Sequence, residues 1–126
     1  NKYAVMANDR CLYEFEASKI EDAYVNADSN SFCVVYTRGG RTYVNIGKNE
    51  IGGFKEVSRI ARDSANQMFA VVGLADDLTL TLVSTLGSKK MERLVAGDPL
   101  FDTDARHVII PVARNGKLCL QRVSLQ

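Results

Sequence analysis

The chain has 126 residues, 46% hydrophobic and 25% charged, with a formal net charge of +1. This is the profile of one ordinary globular domain with enough apolar surface for its own core, and it argues against a strongly basic nucleic-acid binder. No apolar run approaches the length needed to cross a membrane, so no membrane insertion is expected.

Tyr3 to Met6 and Arg10 to Glu16 are strand-like, with Asn8-Asp9 as the turn between them. Ala17 to Ala27 is ambiguous: Ile20, Ala23 and Tyr24 have helical spacing, yet the segment is short and ends in loop composition. Ser31 to Ile46 predicts a β-hairpin, because Gly39-Gly40 suits the positive φ values of a two-residue turn and the flanks are β-branched and aromatic. The glycines at 47, 52 and 53 predict a turn or bulge around Lys48 to Ile51. Phe54 to Ile60 reads as strand in preference to a short helix, Met68 to Leu74 and Leu78 to Leu82 as strands, and Asp76-Asp77 as a tight turn.

Lys89 to Ala96 has Met91, Leu94 and Val95 at helix-like intervals and stops at Gly97-Asp98-Pro99, with a strand as the alternative. After an acidic loop from Leu100 to Ala105, Val108 to Ala113 and Lys117 to Leu125 flank Asn115-Gly116 as a second hairpin. Pro111 should place the first of these strands at an edge or bulge. The expected fold is mainly β, a small open β-barrel or sandwich of about seven to nine strands with at most one or two short helices. No internal repeat or linker is visible, and residues 1–126 read as a single domain.

Catalytic constellations are thin. Cys11, Cys33 and Cys119 are odd in number and widely spaced, which suggests neither a disulfide framework nor a zinc site; all three read as small core hydrophobes in a reducing, intracellular compartment. His107 is the only histidine, and no flanking signature pairs it with a cysteine. Asp76-Asp77 and Asp102-Thr103-Asp104 lie in predicted turns, and the glycines match neither a dinucleotide nor a P-loop fingerprint. No cofactor or metal is expected, and a small hydrolase built on cysteine and His107 is the least favoured class.

Binding is better supplied. Residues 1–30 carry three bases and six acids, 31–62 six and two, 63–104 three and seven, and 105–126 four and none. If the two basic blocks are neighbours in space, a nearly neutral chain presents one positive face. Single-stranded nucleic acid is held by cations along a groove and by aromatic faces on which bases stack. Arg38, Arg41 and Tyr43 offer both on one hairpin with Tyr36 nearby, Lys55 and Arg59 extend the same block, and Arg114, Lys117 and Arg122 offer charge on the other hairpin. The competing class is a protein-interaction module, a viral or phage adaptor, whose apolar sheet edge pairs with a partner strand.

Asn1 at the front, Leu125-Gln126 at the back, and Thr37-Arg38-Gly39-Gly40-Arg41 between strands a third of the way along form a pattern. In it the chain resembles the family of the coronavirus ninth nonstructural protein, a small replicase subunit cut from a polyprotein. The resemblance implies an open β-barrel that binds single-stranded RNA beside the viral RNA polymerase in the host cytoplasm, and a protein that is not itself an enzyme. It also implies that the amino group of Asn1 accepts a nucleotidyl group. The family's homodimer packs on a Gly-x-x-x-Gly helix that this sequence lacks, so a homodimer here would need another interface.

Overall fold

Alternation of apolar and polar residues, interrupted by turn-forming pairs, folds the chain into consecutive antiparallel hairpins. A computed structural model describes residues 1–91 and 97–126. Among these it shows fourteen strands and no helix: β1 (Lys2–Ala7), β2 (Arg10–Glu16), β3 (Lys19–Asn26), β4 (Ser31–Arg38), β5 (Arg41–Ile46), β6 (Asn49–Phe54), β7 (Glu56–Val57), β8 (Ala61–Asp63), β9 (Met68–Leu74), β10 (Leu80–Ser84), β11 (Gly87–Met91), β12 (Leu100–Phe101), β13 (His107–Arg114) and β14 (Lys117–Ser124). They form four sheets in chain order. Sheet 1 is β1-β2, sheet 2 is β3 to β6, sheet 3 is β7 to β11, and sheet 4 is β12 to β14. The fold is therefore mainly β, in several sheets with no closed barrel among the described residues.

The strands outnumber the seven to nine expected because β7, β8 and β12 are only two or three residues long, too short to leave a period in the sequence, and because β3, β6 and β11 fall where the sequence reads as ambiguous, as turn or bulge, and as helix. The ambiguous stretch after Ala17 is strand β3, since pairing with β4 half-buries its alternate residues and overrides helical spacing. Lys89–Met91, read as the start of a helix, instead complete β11 against β10; residues 92–96 lie outside the described residues. Of the strand expected at Phe54 to Ile60, Phe54 ends β6 and Glu56–Val57 form β7. Both hairpin turns are as expected, with φ of 59° and 77° at Gly39-Gly40 and 51° and 74° at Asn115-Gly116. Pro111 lies beyond the two residues of β13 that β12 covers, so its missing N–H deprives no strand there. No helix of the described residues is long and apolar enough to cross a membrane.

The sheets stack face on face, and the two-residue period of each central strand shows how. Phe32, Val34 and Tyr36 of β4 pack with Val5 and Phe15 of sheet 1, while Cys33 and Val35 pack with Phe69, Val71 and Val83 of sheet 3. On β9 the same division recurs: Phe69 and Val71 face sheet 2, whereas Met68, Ala70 and Val72 face Val108, Ile110 and Val112 of sheet 4. Three apolar interlayers result, each lined by two sheets.

This arrangement reveals a repeat that is not visible in the sequence. Val35 pairs with Val44, Val72 with Leu82 and Pro111 with Leu120; the first two pairs face the following layer, and the third holds the equivalent place on the outer face of sheet 4. From 35 to 72 to 111 the steps are 37 and 39 residues, and from 44 to 82 to 120 they are 38 each. What recurs is direction rather than residue identity, which is why reading the letters alone shows nothing.

Candidate functional site

The turn at Gly39-Gly40 projects Arg38 and Arg41 from the end of sheet 2, and both find carboxylates. Arg38 donates from Nη2 to Glu50 Oε1 at 2.8 Å and from Nη1 to Glu50 Oε2 at 3.2 Å, and Nη1 also reaches the Glu16 carbonyl at 3.2 Å. Its guanidinium lies over the Tyr43 ring, 4.4 Å from the centroid. Arg41 grips Asp76 in the β9-β10 turn with two hydrogen bonds, one of 2.6 Å from Nη1 to Oδ1. The paired arginines therefore connect layers: Arg38 ties sheet 2 to sheet 1, and Arg41 ties it to sheet 3.

Behind Arg38 the network continues into the core. The Tyr36 hydroxyl donates toward Asn45 Oδ1 at 2.7 Å and also hydrogen-bonds Glu50, and both Tyr36 and Asn45 are fully buried. Tyr36 sits between the rings of Phe15, 4.4 Å away, and Tyr43, 6.0 Å away. Burial first, then the neighbouring Glu50 carboxylate, pushes the Tyr36 phenol well above its ordinary pKa. The Arg38 hydrogen bond holds Glu50 below the usual carboxylate value, and Arg41 does the same for Asp76.

The other expected residues lie elsewhere. Lys55 and Arg59 are exposed beside a cleft of about 520 Å³ lined by Glu21, Glu56, Val57, Ser58, Leu74 and Asp98, and the Arg59 N–H donates to Asp98 Oδ1 at 3.0 Å. Arg114 and Lys117 flank the exposed turn of sheet 4. Arg122 is held by Asp102 and Asp104, its Nε 2.6 Å from Asp102 Oδ2. Asn1 is exposed, and its ammonium donates to the Ala17 carbonyl at 3.1 Å.

Whether the two basic hairpin tips are neighbours, which the sequence leaves open, is decided by the layering. β12 lies against β8 and pairs with Val108 and Ile109, while β8 pairs with the Met68 end of β9. β13 therefore runs in the same sense as β9, and its turn projects from the same end as Asp76-Asp77. Three hairpin tips line that end, basic, acidic and basic, with sheet 3 between the two cationic ones. Two sheet spacings separate those basic tips, roughly 20 Å at about 10 Å per spacing.

The cysteines also depart from expectation, because only Cys33 is buried and Cys11 and Cys119 are exposed. Burial pushes the Cys33 thiol well above its ordinary pKa. His107 places Nδ1 2.9 Å from Asp104 Oδ2, and this contact, with the neighbouring Arg106 N–H and Arg122, holds Asp104 below the carboxylate range. No group of three or more histidine, cysteine or carboxylate side chains among the described residues is arranged to hold a metal ion.

Reading the sequence missed Glu50, Asn45 and Asp76 as partners of the basic hairpin, since Asp76 is 35 residues from Arg41 and no local pattern joins them. It also missed an apolar surface. Leu100, Leu118 and Leu120 are 67%, 70% and 73% exposed, and the register puts all three on the outer face of sheet 4 with Ile109 and Pro111. No family model, curated protein or solved structure matches this chain.

Proposed function

We propose that this chain is a protein-interaction module, a stack of β-sheets that binds a protein partner through the outer face of sheet 4. The observation that carries this reading is a contrast between equivalent positions. Leu80 and Leu82 of sheet 3 are 8% and 1% exposed beneath the next layer, whereas their counterparts Leu118 and Leu120 are 70% and 73% exposed. Covering either leucine is worth about 1.5–3 kcal/mol, enough for a few such side chains to hold a complex. The test is a photo-reactive residue at position 120. The reading expects protein adducts at that position that Leu118→Lys abolishes; an absence of adducts, both in the purified protein and in a cell extract, overturns it.

The second reading is a single-stranded RNA-binding subunit beside a viral polymerase. It draws support from Lys55, Arg59, Arg114 and Lys117, which have no ion-pair partner among the described residues. Arg38 and Arg41 would first have to exchange a carboxylate for a phosphate, and Tyr43 already has Arg38 over its ring. Fluorescence anisotropy with labelled oligouridylate checks it: binding should weaken steeply with salt, and Arg114→Ala/Lys117→Ala should reduce the slope by about two phosphate contacts. A salt-independent or absent signal refutes it.

A further inference from the structure

Eight asparagines occur in the chain, and only Asn115 is followed by glycine. That order matters for the chemistry of the side-chain amide. The backbone nitrogen of the following residue can attack the asparagine Cγ and close a five-membered ring, an approach that a side chain on that residue obstructs. Glycine has none, and its backbone turns freely. The pair that makes the β13-β14 turn is thus also suited to a covalent reaction.

The structure leaves both reacting groups free. Asn115 and Gly116 are exposed at the tip of sheet 4. Arg114 and Lys117 close the turn, and the Gly116 N–H enters no backbone hydrogen bond among the described residues. A Cβ built on Gly116 meets no atom within 4 Å, so the tip has open space in which to rotate. Other asparagines are engaged. Asn8 Nδ2 donates to the Ala27 carbonyl at 3.4 Å, Asn66 Nδ2 donates to Asp63 Oδ2 at 3.0 Å, and the buried Asn45 accepts from Tyr36 at 2.7 Å. Asn26 and Asn49 lie in paired strands, and Asn1 and Asn30 precede Lys2 and Ser31, which carry side chains.

We propose that Asn115 is a site of spontaneous modification, an amide that converts to aspartate and isoaspartate in the folded protein. The Gly116 nitrogen bonds to Asn115 Cγ, the Cγ–Nδ2 bond breaks, and the proton lost by the nitrogen leaves with the amide as ammonia. Water then opens the cyclic imide. Opening at Cγ gives aspartate in the original backbone; opening at the main-chain carbonyl carbon gives isoaspartate, whose backbone runs through Cβ and Cγ. Nothing is oxidised or reduced, and solvent water is the only co-reactant. Arg114 and Lys117 flank the site without ion-pair partners among the described residues, and their charge favours the deprotonated nitrogen and the oxyanion formed at Cγ. The product places a carboxylate between these two cations and makes the tip less basic. Isoaspartate also lengthens a turn whose register, Arg114 opposite Lys117, is set for two residues.

Incubation of the full folded chain in neutral buffer at physiological temperature, followed by chymotryptic peptide mapping, tests this. The peptide that contains Asn115 should show the mass change of an amide becoming an acid before any peptide with another asparagine does, and ammonia should be released in step. Asn115→Gln should suppress the release, because its longer side chain would have to close a six-membered ring. The aged fraction should leave a cation exchanger with the Asn115→Asp variant, ahead of fresh protein. Incubation in urea gives the same reaction without the turn, and far-UV circular dichroism confirms that the other samples are folded. An Asn115 that stays an amide in the folded chain overturns the inference, whether or not the unfolded chain converts. Earlier conversion at any other asparagine overturns it as well.

Discussion

Replacing Tyr36 with Phe isolates one hydroxyl in the middle of the network behind the basic hairpin. The ring and its contacts with Phe15 and Tyr43 remain, so no cavity opens. What disappears is the donor shared by Asn45 Oδ1, at 2.7 Å, and the Glu50 carboxylate. Glu50 reaches solvent and keeps Arg38, but Asn45 is fully buried and its oxygen loses its partner. Leaving such an acceptor unsatisfied costs about 1–3 kcal/mol. With an unfolding entropy of about 2.1 cal/mol/K per residue, this chain loses about 4 °C of melting temperature per kcal/mol, so the expected fall is roughly 4–12 °C. Urea denaturation and a thermal melt at pH 7 both read it. In an Asn45→Leu background the same Tyr36→Phe step should cost distinctly less, because both ends of the bond are then apolar. A loss below about 0.5 kcal/mol, or an equal loss in both backgrounds, refutes the claim that the hydroxyl satisfies Asn45.

Three further outcomes follow from the same structure. Thiol titration of the native protein should count two reactive cysteines, Cys11 and Cys119, with Cys33 appearing only on unfolding; three at once would contradict its burial. Glu50 and Asp76 have folded-state pKa values depressed by Arg38 and Arg41, so their stabilisation is fully present above the unfolded values of about 4 and is lost as pH falls through the folded ones. Urea midpoints should therefore drop below about pH 4, and Glu50→Gln/Asp76→Asn should flatten that drop; an unchanged profile would contradict it. Gly73→Ala puts a Cβ 2.7 Å from the Phe54 ring and should destabilise by about 1–3 kcal/mol in urea; an unchanged urea midpoint would contradict that contact.

The two hairpins around Gly39-Gly40 and Asn115-Gly116 were legible because turn chemistry is local: a pair of residues fixes the backbone, and alternation fixes the faces. β11 was not. Three residues of strand beside two apolar residues at helical spacing carry too little period to decide, and only pairing with β10 settles Lys89–Met91. Arg38, Arg41 and Tyr43 share one hairpin, as their places in the sequence imply, but the partners Glu50 and Asp76 lie 12 and 35 residues from their arginines, beyond any local signal. The layered repeat was hidden for a related reason. Val35, Val72 and Pro111 share a direction, not a side chain, and direction exists only once strands are paired.

Because the layers are stacked in chain order, the two middle sheets each have a neighbour on both faces, and the outer two, among the described residues, on one face only. Cooperativity in such a stack is a matter of adjacency: each sheet is as secure as the pair that clamps it. Loss of order should travel inward from the ends, so amide exchange should be slowest in β4 and β9 and fastest in β1, β2 and β14. Anything that closes the stack at its ends would protect those outer strands without touching the core.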